Sequence, residues 1–260
     1  MDITYYTTYD TPVPYRSIIV YPVTVREYAN FSLFSQCLLI DKNSIPDPRI
    51  ISMSDLEYIY QATLEDSLNK PYLFWLDRLL ALSLRDEKSF EKIEESVKRY
   101  NNDERGKPYF YIGEEKYTSG DYDKLKLIIS EQNGVELTNE NISKEVRDSL
   151  EEAQNYKNKL SDSKPASIED YIVSLSISTG WTFEYIYSMP LRKFLKSIKR
   201  MDNLLHYKIY LASSMSGMVE FKDKSFIKHW LSNLEEDKYS DVSVDLDTMQ
   251  NKISLESAKK

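Results

Sequence analysis

Cysteine occurs once in this chain of 260 residues, histidine twice and glycine six times. Each scarcity removes a class of chemistry. A single thiol, Cys37, excludes an intramolecular disulfide and any zinc site built from several cysteines. It falls in an apolar helical run and is expected to be a small buried hydrophobe. His206 and His229 stand in separate helical patterns, so no Cys–His nucleophile is arguable. Six glycines leave few loops able to wrap a cofactor, and no phosphate loop, dinucleotide fingerprint or His-Glu-x-x-His run exists. The carboxylates are dispersed along helices. Asp241, Asp245 and Asp247 come nearest to a cluster, without the Gly and distal Glu of a calcium loop. No cofactor, no metal and no catalytic residue are therefore expected; a non-enzyme is.

Positive charge is also short. The chain holds 34 Lys and Arg against 42 Asp and Glu, a net charge of −8, which argues against a general nucleic-acid binder. The densest basic cluster is Arg192, Lys193, Lys196, Lys199 and Arg200, on one helix. It reads as a solvated face or as a patch for an acidic partner. Long apolar runs are missing too: Tyr72 to Leu84 carries Asp77-Arg78 and falls short of the roughly 20 residues a bilayer span needs. The start, Met1-Asp2-Ile3-Thr4, lacks the basic-then-apolar layout of a signal peptide. An intracellular, reducing setting with no membrane partner is expected.

What is present is tyrosine and helical periodicity. There are 21 Tyr against nine Phe and three Trp. A ring with a polar tip suits half-buried positions and protein interfaces, although an A+T-rich coding sequence would enrich tyrosine equally well. An apolar share of 41% suffices for a core.

The pattern predicts a mainly α chain with a small β component: an α+β domain over residues 1–160 with an extended amino-terminal arm, a helical domain over 167–235, and an acidic, loosely held tail over 236–260. Pro12 and Pro14 are expected to keep residues 1–14 irregular, and Ser17–Val25 reads as a strand interrupted at Pro22. Helices are expected from Tyr28, from Ser54 and from Pro71, the last apolar almost all round and so central to its domain. Further helices are expected over Phe90–Tyr100, from an Asp121 cap to Asn133-Gly134, and from Asn139. Tyr109–Ile112 and Lys116–Thr118 read as a hairpin. The polar run Ser161–Pro165 is the expected linker.

The stretch that organises the rest follows. Ser167 and Asp170 make a capping box, Ile168, Tyr171, Ile172 and Leu175 form one stripe, and Gly180 ends the helix in the left-handed conformation. Thr182–Tyr187 makes a short helix. Pro190 opens the next, with Leu191, Phe194, Leu195, Ile198, Leu205 and Ile209 on its apolar face and an end near Ser216-Gly217. Asp223 is expected to cap a last helix. Trp181 and Tyr185 lie four residues apart and face one side. Trp181 is expected to be mostly buried as the packing centre, so that Trp181→Ala costs roughly 3–5 kcal/mol. The competing reading is an exposed aromatic anchor for a partner.

The layout Gly180-Trp181, Tyr185-Ile186, Met189-Pro190-Leu191 and Phe194-Leu195 resembles proteins of the tail-morphogenesis gene blocks of tailed bacteriophages. The segment Met215-Ser216-Gly217-Met218-Val219-Glu220-Phe221-Lys222 with His229-Trp230, and the run Tyr122–Ile129 before Gln132-Asn133-Gly134, are similar to such proteins from phages of low-G+C Gram-positive hosts. The resemblance covers roughly the second half of the chain. It implies one of two roles. A tail-assembly chaperone acts on the tape-measure protein or baseplate in the host cytoplasm and is absent from the finished particle. A structural baseplate or tail subunit stays in the virion. Either would have tape-measure, baseplate or tube proteins, or further copies of this chain, as partners. A reading from another class is a regulatory helical module that binds through the basic helix after Pro190.

Overall fold

The computed structural model describes residues 3–40, 42, 45, 47–85, 100–102, 106–137, 166–216 and 229–232. They are mainly helical with a small β component, as the sequence predicts. The helices are α1 Thr4–Thr8, α2 Tyr28–Phe34, α3 Pro48–Ser52, α4 Asp55–Glu65, α5 Tyr72–Leu84, α6 Ser119–Asn133, α7 Ile168–Thr179, α8 Phe183–Ser188 and α9 Leu191–Met215. Two compact units divide the chain, Met1–Lys196 and Ser197–Lys260. The division falls within α9, whereas the sequence places a linker at 161–165, outside the described residues.

In the first unit α5 is the central helix. Its leucines occupy every face, so a single covered side would leave apolar surface in water. Leu73, Leu76, Leu79 and Leu80 are all buried, against α2, α4, β2 (Ile18–Val20) and a 3₁₀ turn at Ser35–Leu38. The buried Thr63 hydroxyl of α4 accepts the Leu73 N–H at 3.2 Å and satisfies one of the free donors of the first turn. At the other end the Ser83 carbonyl accepts from Tyr21 N at 2.7 Å. The helix stops with Arg85 in the left-handed conformation, φ +58°. Helix α4 starts at a capping box between Ser54 and Glu57. Cys37 is buried in the 3₁₀ turn, and burial pushes its thiol up to about 12, which leaves it inert.

The amino-terminal residues are more regular than Pro12 and Pro14 suggest. Thr4–Thr8 is helical, and β1 (Val13–Tyr15) pairs antiparallel with β2 in the register Val13↔Val20. Pro14 is tolerated because this is a two-stranded sheet, where one N–H side has no neighbour to bond. The second sheet has the order β3 (Tyr100–Asn102), β4 (Pro108–Ile112), β5 (Glu115–Thr118), all antiparallel. Its β4–β5 hairpin agrees with the sequence reading. β3 does not, since that reading ends a helix at Tyr100. Phe110 and Tyr117 stack across the hairpin at 5.7 Å, both fully buried.

Helix α6 is capped by Thr118 rather than by Asp121, which takes the third position of a capping box and accepts from Thr118 N at 2.9 Å. The Asp121 carboxylate also accepts from Tyr15 Oη at 2.7 Å and meets Arg16 at 3.1 Å. Burial alone would raise its pKa. The Thr118 N–H, the Tyr15 and Thr118 hydroxyls and the Arg16 charge outweigh that and hold it at about 2. Tyr122, Leu125, Ile128 and Ile129 form the buried stripe. At the far end two buried amides face the incoming chain. Gln132 Nε2 donates to Val20 O at 3.1 Å, and Asn133 Oδ1 accepts from Val23 N at 2.8 Å. A half-buried ion triplet ties α4 to α6, with Asp55 between Lys42 at 2.8 Å and Lys126 at 2.6 Å.

The second unit, among described residues, is most of α9 with a short turn at His229–Ser232. Arg200 Nη1 donates to the carbonyls of Trp230 and Ser232, both at 2.8 Å, and Tyr207 meets His229 edge-on at 5.2 Å. The α9 end at Met215 matches the expected stop near Ser216-Gly217. Its apolar stripe is not covered: Leu205, Ile209 and Met215 are all exposed. The helices expected over Phe90–Tyr100, from Asn139 and from Asp223, the Asp241–Asp247 cluster and the 236–260 tail lie outside the described residues.

Candidate protein-interaction surface

Local chemistry builds the junction between α7, α8 and α9. Ser167 and Asp170 form the predicted capping box, with Ser167 Oγ accepting from Asp170 N at 3.2 Å. Gly180 ends α7 at φ +74°, a conformation that other L-residues enter only at a cost. Thr179 Oγ1 then accepts from Trp181 N at 3.2 Å, and Ser176 Oγ donates to Trp181 O at 2.8 Å. These bonds close the turn tightly enough for Thr182 to cap α8 by accepting from Tyr185 N at 3.3 Å.

One side of the junction is core. Ile186, Met189, Leu191 and Phe194 are buried, Ile186 and Phe194 completely. Residues 189–191 run antiparallel to 23–25: Val25 N donates to Met189 O at 3.0 Å and Leu191 N to Val23 O at 2.8 Å, with Pro190 opposite Thr24. That central pair is one in which neither residue needs an inter-strand N–H, so proline fits. Thr24 N is satisfied by Glu27 Oε2 at 2.8 Å instead. Pro190 therefore does more than start α9: it occupies the one register position of this contact where a missing donor is harmless.

The basic residues after Pro190 are turned to the chain's own groups. Arg192 Nη1 donates to Thr7 O at 2.9 Å, and its stem lies over Gly134, where an added Cβ would meet Arg192 Cγ at 3.4 Å. Lys193 pairs with Asp10 at 2.7 Å, a bond and a charge that raise its pKa. Arg200 holds the Trp230 turn, and Lys196 and Lys199 are also engaged.

The other side faces solvent. Ile177 is 80% exposed, Phe183 48%, Tyr185 51% and Trp181 37%. Trp181 and Tyr185 meet edge-on at 5.2 Å, as their spacing predicts, and Phe183 stacks on Tyr187 at 6.5 Å. The expected burial of Trp181 is thus corrected. The ring pair forms, but the buried residues of the junction are Ile186, Met189, Leu191 and Phe194 rather than Trp181, and Leu195 stays 38% exposed. In α7 only Ile172 and Leu175 are buried, while Tyr171, Val173 and Ile177 are exposed. Helix α7 is thus apolar on two sides and covered on one, and with Trp181, Phe183 and Tyr185 it leaves several large hydrophobic side chains in water, a feature of interaction sites. Arg26, paired with Glu184 at 2.7 Å and 5.4 Å from the Tyr187 ring, supplies a polar rim.

Sequence reasoning missed the 23–25 contact and the amide of Asn133 that supports it. Their only sequence signal is a β-branched run, Val23-Thr24-Val25, that ends without a partner strand nearby. Among the described residues no three His, Cys, Asp or Glu side chains gather as a metal ligand set would require.

No curated protein and no solved structure matches the chain. Residues 157–235, which contain the whole junction, match the family model of the YomV second domain. YomV belongs to a Bacillus phage region, so this part of the chain is similar to a phage protein of low-G+C hosts.

Proposed function

We propose that the chain is a non-catalytic phage tail-assembly protein, a chaperone-like factor that acts in the host cytoplasm on the tape-measure protein or the baseplate. The observation that carries this reading is the exposed surface of Ile177, Trp181, Phe183 and Tyr185, inside the span that resembles a phage-region domain. Four large apolar side chains held on short, well-capped helices suit the capture of apolar stretches in another protein. The resemblance of Gly180 to Leu195 to tail-morphogenesis proteins supports a tail protein as the client.

Two experiments test it. Affinity capture of the tagged chain from infected cells is expected to recover tape-measure or baseplate protein, and Trp181→Ala with Tyr185→Ala is expected to lose it. Recovery of no tail protein sinks the proposal. Mass spectrometry of purified virions then decides between the two roles. Absence from finished particles fits the chaperone, and abundance in them replaces it with the structural subunit.

A further inference from the structure

A second site shares no residue with that surface. Between α2 and α5 lies a pocket of roughly 540 Å³, open along one side. Asn30 and Phe34 line it from α2, and Phe74, Arg78, Leu82 and Arg85 from α5 and its end. The spacings of four, four, four and three residues place each set on one helical face, so the pocket is a trough along two helices. Its floor is apolar: Phe34 and Phe74 meet edge-on at 6.2 Å.

Its charge is unbalanced. Glu27, the carboxylate at the rim, is already occupied. Its Oε2 accepts from both the N–H and the hydroxyl of Thr24 at 2.8 Å, and its Oε1 faces Arg85 at 3.4 Å. Arg85 also donates to Pro22 O at 3.1 Å. Arg78 has no such partner: the residue is half-buried with its guanidinium 5.3 Å from the Phe74 ring, and among the described residues no carboxylate pairs with it. Two guanidinium groups thus face one committed carboxylate, in a chain whose net charge is −8. A guanidinium set beside an apolar ring favours a carboxylate attached to an apolar body. A closed pocket would wrap a small ligand on most sides; a half-open trough lined by two helices suits a peptide.

We propose that this trough docks an acidic peptide segment of a protein partner, which sets a carboxylate on Arg78 and lays a neighbouring apolar side chain against Phe34 and Leu82. Arg78 and Arg85 are seven residues apart, about 10 Å along the helix. An extended peptide presents every second side chain to one face, about 7 Å apart, so a second acidic residue two positions on reaches towards the Arg85 end.

The test is fluorescence anisotropy with the full chain and a labelled synthetic peptide in which Glu alternates with Leu and Phe. The peptide is expected to bind, and its Gln counterpart, Arg78→Ala and Phe34→Ala are each expected to weaken binding by roughly tenfold or more. Arg78→Lys should fall between, and Arg49→Ala, on an exposed arginine away from the trough, should change nothing. If Arg78→Ala fails to fold in a melting control, the wild-type chain still decides. Titration of the peptide must shift the Asn30 side-chain amide and the Arg78 Nε–H resonances in NMR spectra. Absence of binding, equal binding of the Gln peptide, or unmoved Asn30 and Arg78 signals overturns the proposal. Displacement of the peptide by benzoate at the peptide's own concentration also overturns it, by assigning the trough to small carboxylates.

Discussion

Helices α5 and α6 on one hand and α9 on the other are written in the same apolar periodicity and end in different surroundings. The thirteen residues of α5 bury four leucines, and α6 buries its stripe from Tyr122 through Asn133. The 25 residues of α9 bury only Leu191 and Phe194, both in its first turn. Periodicity states that a face is apolar; it does not state what covers it. For α5 and α6 the cover is supplied by α2, α4, β2, β5 and the turn at Ser35–Leu38. For α9 beyond its first turn, Leu205, Ile209 and Met215 remain in contact with water.

The largest effect belongs to the covered side. Leu79→Ala removes a fully buried side chain of α5, and denaturant unfolding should show a loss of about 2–5 kcal/mol. A loss below about 1 kcal/mol would mean that α5 is not the centre of its unit.

Next comes the polar end of α6. Asn133→Leu strands the buried Val23 N–H, which now donates to Asn133 Oδ1. An unsatisfied buried donor costs about 1–3 kcal/mol. Faster hydrogen exchange at Val23, Val25 and Leu191 should accompany it, because the contact between 23–25 and 189–191 rests on that amide.

The other end of α6 gives a pH-dependent effect. Asp121 titrates at about 2 in the folded chain, below its unfolded value near 3.9. A lowered carboxylate pKa stabilises the fold above the unfolded value, and that stability is lost as pH falls through the folded one. Asp121→Asn should therefore flatten the stability curve between about pH 4 and pH 2, at a cost near neutrality on the order of 1 kcal/mol after allowance for solvent screening. An acid limb unchanged in the variant would remove Asp121 from the account.

The smallest effect is expected on the uncovered stripe. Ile209→Ala, at a position 58% exposed, should change stability by no more than about 0.5 kcal/mol. A loss of several kcal/mol would mean that the α9 stripe is covered in solution and would erase the contrast with α5.

What the sequence made legible is what neighbours in the chain decide. The start of α4 at Ser54, the Ser167 capping box, the stop of α6 at Gly134, the left-handed end at Gly180, the short α8 and the β4–β5 hairpin all depend on residues within one or two turns. The Trp181–Tyr185 ring pair was equally readable, since a four-residue spacing across the start of α8 brings the two rings together. The burial of that pair was not. It turns on how the junction packs, and there residues 189–191 bond to Val23 and Val25, more than 160 positions earlier. Asp121 shows the same limit at shorter range: its place near the start of α6 could be read, but Tyr15 and Arg16, which lower its pKa, come from a hairpin whose docking no local pattern announces.

The central claim is that the junction has a core side and a binding side, and paired unfolding of two aromatic variants tests it most directly. Phe194→Ala, at a fully buried ring, should lower stability by about 3–5 kcal/mol. Trp181→Ala should lower it by about 1 kcal/mol or less and leave the melting transition cooperative. Equal losses in the two variants would return Trp181 to the core and leave the proposed surface without its anchor.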